Sequence, residues 1–235
     1  MAKQFISNNL EKINDNIYSI SGEEFKHILV LRHKIDDVIV INNSEYKIIN
    51  ITKENIKLEK IKDLKVYHKE YKLTLYQGIL KSDKIEYVIQ KSVELGVDKI
   101  NIFFSKNSVV KLDEKDKTKK LLRYNKIATE AVKQCGRNND IKDISFLNFK
   151  EMDYKGHDIV LFAYENETKK LKEVLKDNKF KDIAIIIGPE GGFDKTEIKE
   201  IEKYSNVKTI SLGKNILRAE TASLNLLSIV NYEMN

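Results

Sequence analysis

The chain is poor in the residues that usually turn or cross-link a protein. Its 235 residues include one proline, nine glycines, one cysteine and no tryptophan. The single cysteine, Cys135, excludes an internal disulfide framework and is typical of a reducing compartment. No apolar run approaches the roughly 20 residues that a membrane-spanning helix needs, and the N-terminus lacks the apolar stretch of a signal peptide. The sequence therefore predicts a cytoplasmic protein that does not bind membranes.

The histidines and the cysteine form no pattern that is typical of a metal site. No two histidines lie four residues apart, and no H-E-x-x-H sequence occurs. Cys135 has no C-x-x-C partner, and it directly precedes Gly136 at a predicted helix end. We therefore predict no metal and no cysteine nucleophile. The scattered histidines are His27, His33, His68 and His157.

The positive charge of the chain is concentrated in one segment. The net charge is +6, and residues 105–142 hold 11 basic and 5 acidic residues, an excess equal to that of the whole chain. Such a segment is either a solvated helix face or a surface that binds a polyanion. Lysine supplies most of the basic residues, so an arginine is more often present for the planar geometry that suits phosphates and base edges. The four arginines are Arg32, Arg123, Arg137 and Arg218.

The rhythm of secondary structure changes near residue 70. Before it, short β-branched runs (16–20, 38–42, 46–52 and 55–61), a helix at 23–31 and a turn at Asn42-Asn43-Ser44 predict a small β-barrel or open β-roll. After it, strands alternate with helices, which predicts a mostly parallel sheet. We therefore expect domains at residues 1–70 and 71–235. The predicted strands of the second domain are 73–79, 99–104, 158–164, 183–187 and 207–212.

Glycine and proline are concentrated after one apolar strand. Residues 183–187 lead into Gly188-Pro189-Glu190-Gly191-Gly192, which holds the only proline of the chain. Glycine allows positive φ and close backbone approach. The loop matches neither the G-x-G-x-x-G dinucleotide fingerprint nor a phosphate-binding G-K-[ST] loop.

A second loop, residues 213–218, follows the predicted strand 207–212. Ligands of open α/β sheets bind beyond the carboxyl ends of the strands, so the two loops predict adjacent surfaces for a ligand. Two tight turns without a ligand are the alternative.

Four sequence blocks, in order along the chain, resemble the signature blocks of the RsmE family. They occupy residues 84–97, 131–138, 187–193 and 212–222, and the match runs from about residue 25 to the C-terminus. Members of this family are SPOUT-class methyltransferases that modify N3 of a uridine, uridine 1498, in 16S ribosomal RNA. The resemblance implies an α/β protein with an N-terminal PUA-like, RNA-binding β-barrel and a C-terminal SPOUT domain that contains a trefoil knot. It also implies S-adenosylmethionine as cofactor, the small ribosomal subunit as substrate and a homodimer.

The resemblance also implies which residues form the site. Arg218 is the candidate to steady a uracil anion or a nearby phosphate, and Glu190 is the candidate orienter or base. The structural alternatives are an Arg218–Glu220 ion pair and, for Glu190, a cap of its own loop, Gly188–Gly192, which we call the glycine loop. The candidate cofactor-binding residues are Ala163, Tyr164, Glu165, Ile187, Gly188, Glu190, Gly191, Ser211, Leu212, Gly213, Ile216, Leu217, Arg218, Thr221 and Ala222. The candidate RNA-binding residues are Arg32, Lys111, Lys119, Arg123, Lys126 and Arg137.

The chain departs from the family pattern outside the cofactor loops. Lys106-Asn107 stands where an acidic residue and an arginine are usual, and Tyr124-Asn125 stands where Trp-Gln is common. Two other functions remain open on the sequence alone. One is a SPOUT enzyme that acts on transfer RNA, another RNA or a ribose 2′-hydroxyl. The other is a non-catalytic RNA-binding module that holds a nucleotide-like ligand.

Overall fold

The chain forms two compact units in a computed structural model that describes residues 4–65, 69–137, 141, 143–165, 169–176 and 180–234. The first unit comprises Met1–His68 and Lys133–Asn139, and the second comprises Lys69–Val132 and Asp140–Asn235.

The first unit is built on an open, curled sheet of six strands. The order in the sheet is β1-β4-β5-β6-β3-β2, and only β1 and β4 pair in parallel. Two register shifts in the β5–β6 ladder bend the strands, as β-bulges do. In chain order the elements are β1 (Gln4–Phe5), β2 (Leu10–Lys12), β3 (Ile17–Ile20), α1 (Gly22–Val30), β4 (Val38–Ile41), β5 (Ser44–Ile51) and β6 (Ile56–Asp63).

Alternating side chains build the core of this unit. Tyr46 and Ile48 of β5 are buried at every second position, and Phe25 and Ile28 of α1 belong to the same apolar cluster. The described strands of this unit pair in a linear order, as in the open roll of the two predicted forms.

The turn between β4 and β5 is the predicted hairpin turn. Asn42 and Asn43 have φ angles of 47° and 63°, the left-handed values of a type I′ turn that asparagine tolerates. The four predicted strands and the helix are confirmed, whereas the short edge strands β1 and β2 were not predicted.

The second unit is built on a wholly parallel sheet of six strands, which confirms the predicted sheet type. The order is β12-β10-β11-β7-β8-β9. The strands are β7 (Lys72–Gly78), β8 (Lys99–Phe104), β9 (Asp143–Asn148), β10 (Ile159–Ala163), β11 (Asp182–Ile187) and β12 (Val207–Ile210). β9, at one edge, was not predicted. The helices are α2 (Ser82–Glu94), α3 (Glu114–Cys135, of which residues 133–135 belong to the first unit), α4 (Leu171–Val174), α5 (Lys195–Ile201) and α6 (Ala219–Met234).

Helix ends follow the local sequence signals, but one helix face does not. Gly96 has φ +87° after α2. The sequence Asp194 with Glu197 three residues later predicts a capping box, and this box forms at the start of α5. The apolar spacing of Leu121, Leu122 and Ile127 along α3 predicts that Leu122 faces inward, yet this residue is 71% exposed. Tyr124 is fully buried instead, because it shares the 3/4 spacing of the small inward residues of α3.

Candidate active site

A cavity of about 490 Å³ lies in the second unit at the carboxyl ends of β10, β11 and β12. Its walls are residues 163–165 after β10, 187–193 after β11, and 211–219 with Ala222 after β12; Lys84 of α2 completes the lining. The two loops that the sequence predicted to be adjacent are separated by the loop of β10, since β10 lies between β11 and β12 in the sheet. The volume lies within the range of small-molecule sites.

The glycine loop after β11 is packed closely: at three glycines, two in the loop and one in β7 against it, there is no room for a Cβ atom. A Cβ added to Gly78, at the end of β7, would lie 2.3 Å from the backbone nitrogen of Pro189. One added to Gly188 would lie 2.8 Å from the ring of Phe193, and one added to Gly191 would lie 2.5 Å from the carbonyl oxygen of Asn107. Glycine is therefore required for this close backbone approach.

Residues 105–108, which follow β8, hold the glycine loop in place. The Asn107 side-chain amide donates to the carbonyl of Gly191 (3.2 Å), and the Ser105 hydroxyl donates to that of Gly192 (3.3 Å). The backbone N–H of Lys106 donates to the buried carboxylate of Glu197 (2.9 Å), which also accepts from the N–H of Asp194 (2.9 Å). The departure from the family pattern at Asn107 thus supplies a side-chain contact to the glycine loop, whereas Lys106 bonds Glu197 through main chain that any residue would provide.

Two glycines face open space at the cavity. Gly192 has φ +66° and Gly213 has φ +129°, and an added Cβ would meet no atom within 4 Å at either position. Gly192 also closes the turn of its loop, because its N–H donates to the carbonyl of Pro189 (2.9 Å). Bare backbone at both positions suits a flat ligand that contacts main-chain groups.

The main charged cluster of the site joins three elements. The Lys84 ammonium of α2 lies 3.4 Å from the Glu190 carboxylate of the glycine loop and 3.5 Å from the Glu220 carboxylate of α6. The predicted alternative, a cap of the glycine loop by Glu190, is absent from the hydrogen bonds of the described residues.

Arg218 is exposed at the cavity wall, directly before α6. The alternative of an ion pair with Glu220 is not observed, because Glu220 pairs with Lys84, and no ion pair between described residues includes Arg218. The guanidinium is thus available at the cavity.

Most of the predicted cofactor residues line this cavity. All of them except Thr221 do so; Thr221 is exposed on the first turn of α6. Seven further residues, which are not among the predicted site residues, also line the cavity: Lys84, Pro189, Gly192, Phe193, Lys214, Asn215 and Ala219. Most of these residues lie within the predicted loops, so a prediction that took every residue of both loops would have included them. Lys84 is different, since only the contacts between distant elements place it here.

The predicted RNA-binding residues lie in both units. In the second, Lys111, Lys119 and Lys126 are exposed. Arg123, by contrast, makes a two-pronged ion pair with Glu86, at 2.6 and 2.7 Å, which raises the pKa of its guanidinium.

In the first unit, Arg32 is exposed and has φ 59°, and Arg137 is half-buried. Among the described residues, no group of histidines, cysteines and carboxylates could hold a metal ion. None of the helices in the described part of the chain is long and apolar enough to span a bilayer.

Comparisons with known proteins agree on one kind of molecule. The family described as RNA methyltransferase domain matches residues 68–231. The ribosomal RNA small subunit methyltransferase E of Mesomycoplasma hyopneumoniae is 35% identical over 91% of this chain and 93% of its own length.

Solved structures resemble the chain over its whole length. A structure from Legionella pneumophila in complex with S-adenosylmethionine is 26% identical, covers 99% of this chain and 98% of its own, and has a TM-score of 0.80. The fold also matches a ribosomal RNA small subunit methyltransferase E from Neisseria gonorrhoeae bound to S-adenosylmethionine, with 23% identity, a TM-score of 0.82, and 99% and 98% of the two chains covered.

Proposed function

This chain belongs to the ribosomal RNA small subunit methyltransferase E family, and we propose that it methylates N3 of uridine 1498 in 16S ribosomal RNA, with S-adenosylmethionine as the methyl donor. The observation that carries the proposal is the cavity at the ends of β10, β11 and β12, where three loops present main chain to one space. A protein that only bound RNA would have no use for paired glycine loops around a cavity of this size.

The residues of the cavity fit S-adenosylmethionine. Ile187, Leu212 and Leu217 supply apolar surface for an adenine ring, and the bare backbone at Gly192 and Gly213 leaves room for the ribose and the chain beside it. Bound there, the cofactor supplies an electrophilic methyl group on a sulfonium.

The remaining chemistry is the management of one proton and one negative charge. Uracil N3 carries a proton at neutral pH, and it must lose this proton to attack as a nucleophile. In the proposed reaction, the Glu190 carboxylate accepts the proton. The N3 electron pair then forms the new N–C bond as the C–S bond breaks toward sulfur. The Arg218 guanidinium stabilises the negative charge that develops on the uracil oxygens.

The proposal extends to the architecture and the partners. We assign the curled sheet to a PUA-like RNA-binding domain of residues 1–70 and the parallel sheet to a SPOUT domain of residues 71–235, with a trefoil knot at the cofactor loops. The target base must leave its stack to reach the cavity, so protein contacts to the RNA backbone are needed. The six candidate residues named above supply them. We propose a homodimer in which the partner subunit lies beside the cofactor loops; Ile216, an apolar residue that is 85% exposed, suits such a contact.

The test is a methyl-transfer assay on small ribosomal subunits that lack the modification, with naked 16S RNA in parallel. We expect N3-methyluridine at position 1498 on the subunits, identified by nucleoside mass spectrometry. Arg218→Ala should lower kcat by about 10²–10³-fold, because it removes a group aimed at developing charge. Light scattering on the same preparation gives the molar mass, and a value of 27.3 kDa would exclude the homodimer.

Other products would select other functions. A 2′-O-methylated nucleoside, or methylation of transfer RNA alone, would show a different SPOUT activity. RNA binding without S-adenosylmethionine binding would favour the non-catalytic module. Full activity of Arg218→Ala would leave the function in place but remove this role of Arg218.

A further inference from the structure

We propose that Lys84 is a positioning residue that holds the Glu190 carboxylate at the cavity, with Glu220 as its second anchor. This inference rests on the proposed function, in which Glu190 accepts the proton of uracil N3. Lys84 opens the first of the four family-like sequence blocks, but it is not among the site residues that the sequence predicts.

The ion pairs show how Lys84 connects the parts of the site. Its ammonium lies 3.4 Å from Glu190 and 3.5 Å from Glu220, so one cation joins the glycine loop to the start of α6. Among the described residues, Glu190 has no other hydrogen-bond or ion-pair partner. Without Lys84, no described contact would fix the direction of the Glu190 side chain.

The place of Lys84 in its helix argues that it is there for this contact. It lies in the first turn of α2, where the helix dipole disfavours a cation. Glu220 lies in the first turn of α6, where the dipole favours an anion. A residue that breaks a local rule is more often functional than one that obeys it. The pairing with two carboxylates is the compensating interaction.

Burial makes the cluster depend on its cation. The Lys84 and Glu190 side chains are each 26% exposed and that of Glu220 is 16% exposed. The Oε2 atom of Glu220 is buried and has no hydrogen-bond partner among the described residues. Removal of the ammonium would leave two carboxylates of like charge near each other, one of them largely buried. Glu190 is on a loop and less buried than Glu220, so it is the one that can turn away.

The test compares Lys84→Met, Lys84→Arg and Lys91→Met in the methyl-transfer assay. Lys91 is the matched control, since it lies on the same helix, pairs with Glu94 at 2.7 Å and does not line the cavity. We expect Lys84→Met to lower kcat by about 10²-fold, the cost of misplacing a reacting group by about 1 Å. In Lys84→Met, both the KM for S-adenosylmethionine and the Kd for S-adenosylmethionine measured by calorimetry should equal those of the wild type. Lys84→Arg should restore most of the rate, and Lys91→Met should match the wild type.

Two further variants separate positioning from folding. In a Glu190→Gln background, Lys84→Met should cost nothing more, because a residue that acts through another has no effect once that other is removed. Lys84→Met alone leaves the largely buried Glu220 carboxylate without its cation and should lower the thermal midpoint of unfolding. The double variant Lys84→Met/Glu220→Gln removes that buried charge, so its thermal midpoint should return towards the wild-type value while kcat stays low.

The outcomes distinguish the inference from the function on which it rests. A wild-type protein that forms no N3-methyluridine would refute the proposed function and the inference together. A wild-type protein that forms it, with Lys84→Met equally fast, would refute the inference alone. The inference also fails if the Lys84→Met and Glu190→Gln effects multiply, or if Lys84→Met/Glu220→Gln recovers kcat along with its thermal midpoint.

Discussion

At the end of β7, the backbone of Gly78 lies against Pro189 of the glycine loop. Gly78 is buried, and an added Cβ would lie 2.3 Å from the Pro189 nitrogen and 2.5 Å from its Cδ. Both atoms belong to a rigid ring or to main chain, so they cannot move aside like the tip of a long side chain. A residue that does not line the cavity thereby sets the position of the loop that does.

At this residue scale, Gly78→Ala should weaken the binding of S-adenosylmethionine by about tenfold or more, since overpacking a tight contact costs about 1–3 kcal/mol. Calorimetric titration measures the effect. Gly156→Ala is the control, because a Cβ there would meet the carboxylate of Asp153, the end of a flexible side chain away from the cavity. Unchanged affinity in Gly78→Ala would mean that the loop does not depend on this contact.

Sequence and structure differ most instructively at Lys84 and Glu190. Glu190 lies in a run of glycine and proline that draws attention in a chain with so few of either. Lys84 is one of many lysines, and nothing in its local sequence shows that two distant carboxylates meet it. Local composition can reveal a loop that binds a ligand, whereas the partners of a charge depend on the packing of α2 against α6.

At the scale of the element, α5 joins the glycine loop to the rest of the second unit through its cap. The Asp194 carboxylate accepts hydrogen bonds from the side chain and the N–H of Thr196, and the Lys106 ammonium lies 3.3 Å away. These contacts lower the pKa of Asp194 from 3.8 to about 2, and the hydrogen bond from the Thr196 hydroxyl has the largest effect. The cap is therefore most effective when this carboxylate is ionised.

The pH dependence of the cap follows from the sign of this shift. The pKa in the folded state is below that of the unfolded chain, so the stabilisation is full above pH 3.8 and is lost as the pH falls towards 2. Asp194→Asn should therefore be less stable than the wild type at pH 6, and the difference should shrink between pH 4 and pH 2. Urea unfolding over this pH range measures it. A difference that does not vary with pH would contradict the assignment.

The sequence predicts elements best where they are long or strongly patterned. The 3/4 spacing of apolar residues from Ile85 to Leu95 predicts a helix that ends at Gly96, and α2 agrees with it within a few residues. The continuous apolar run of β11 predicts that strand within one residue. The strand β9 was missed because Ser145 and Asn148 interrupt a short edge segment. Its strand conformation depends on pairing with β8, which is a long-range contact.

At the scale of the whole molecule, the order of strands decides which loops can meet. Chain order places β10, β11 and β12 in succession, but the sheet places β10 between the other two. Sequence patterns fix the direction and the number of strands better than their order, because order depends on contacts between residues far apart in the chain. The loop of β10 was included in the predicted site only through the family resemblance.

The charge of the second unit leads to a last prediction, on the proposed binding of RNA. Lys119 and Lys126 are seven residues apart on α3, hence on one exposed face, and Leu122 between them is 71% exposed. Arg123, which directly follows Leu122 in the chain, is already paired with Glu86. The two lysines should therefore contribute more to phosphate binding than the arginine does, although arginine is the better phosphate ligand in general.

Binding of a 16S RNA fragment, followed by fluorescence anisotropy at several salt concentrations, tests this order. Lys119→Gln/Lys126→Gln should weaken binding and reduce the slope of log K against log salt by about 0.7–0.9 for each phosphate that is no longer neutralised. Arg123→Gln should change the slope less. Lys99→Gln is the control, since Lys99 is exposed at the start of β8, at the end of the sheet away from the cavity. If Lys99→Gln lowers the slope as much as the double variant does, the binding reflects net charge, and α3 is not a specific RNA surface.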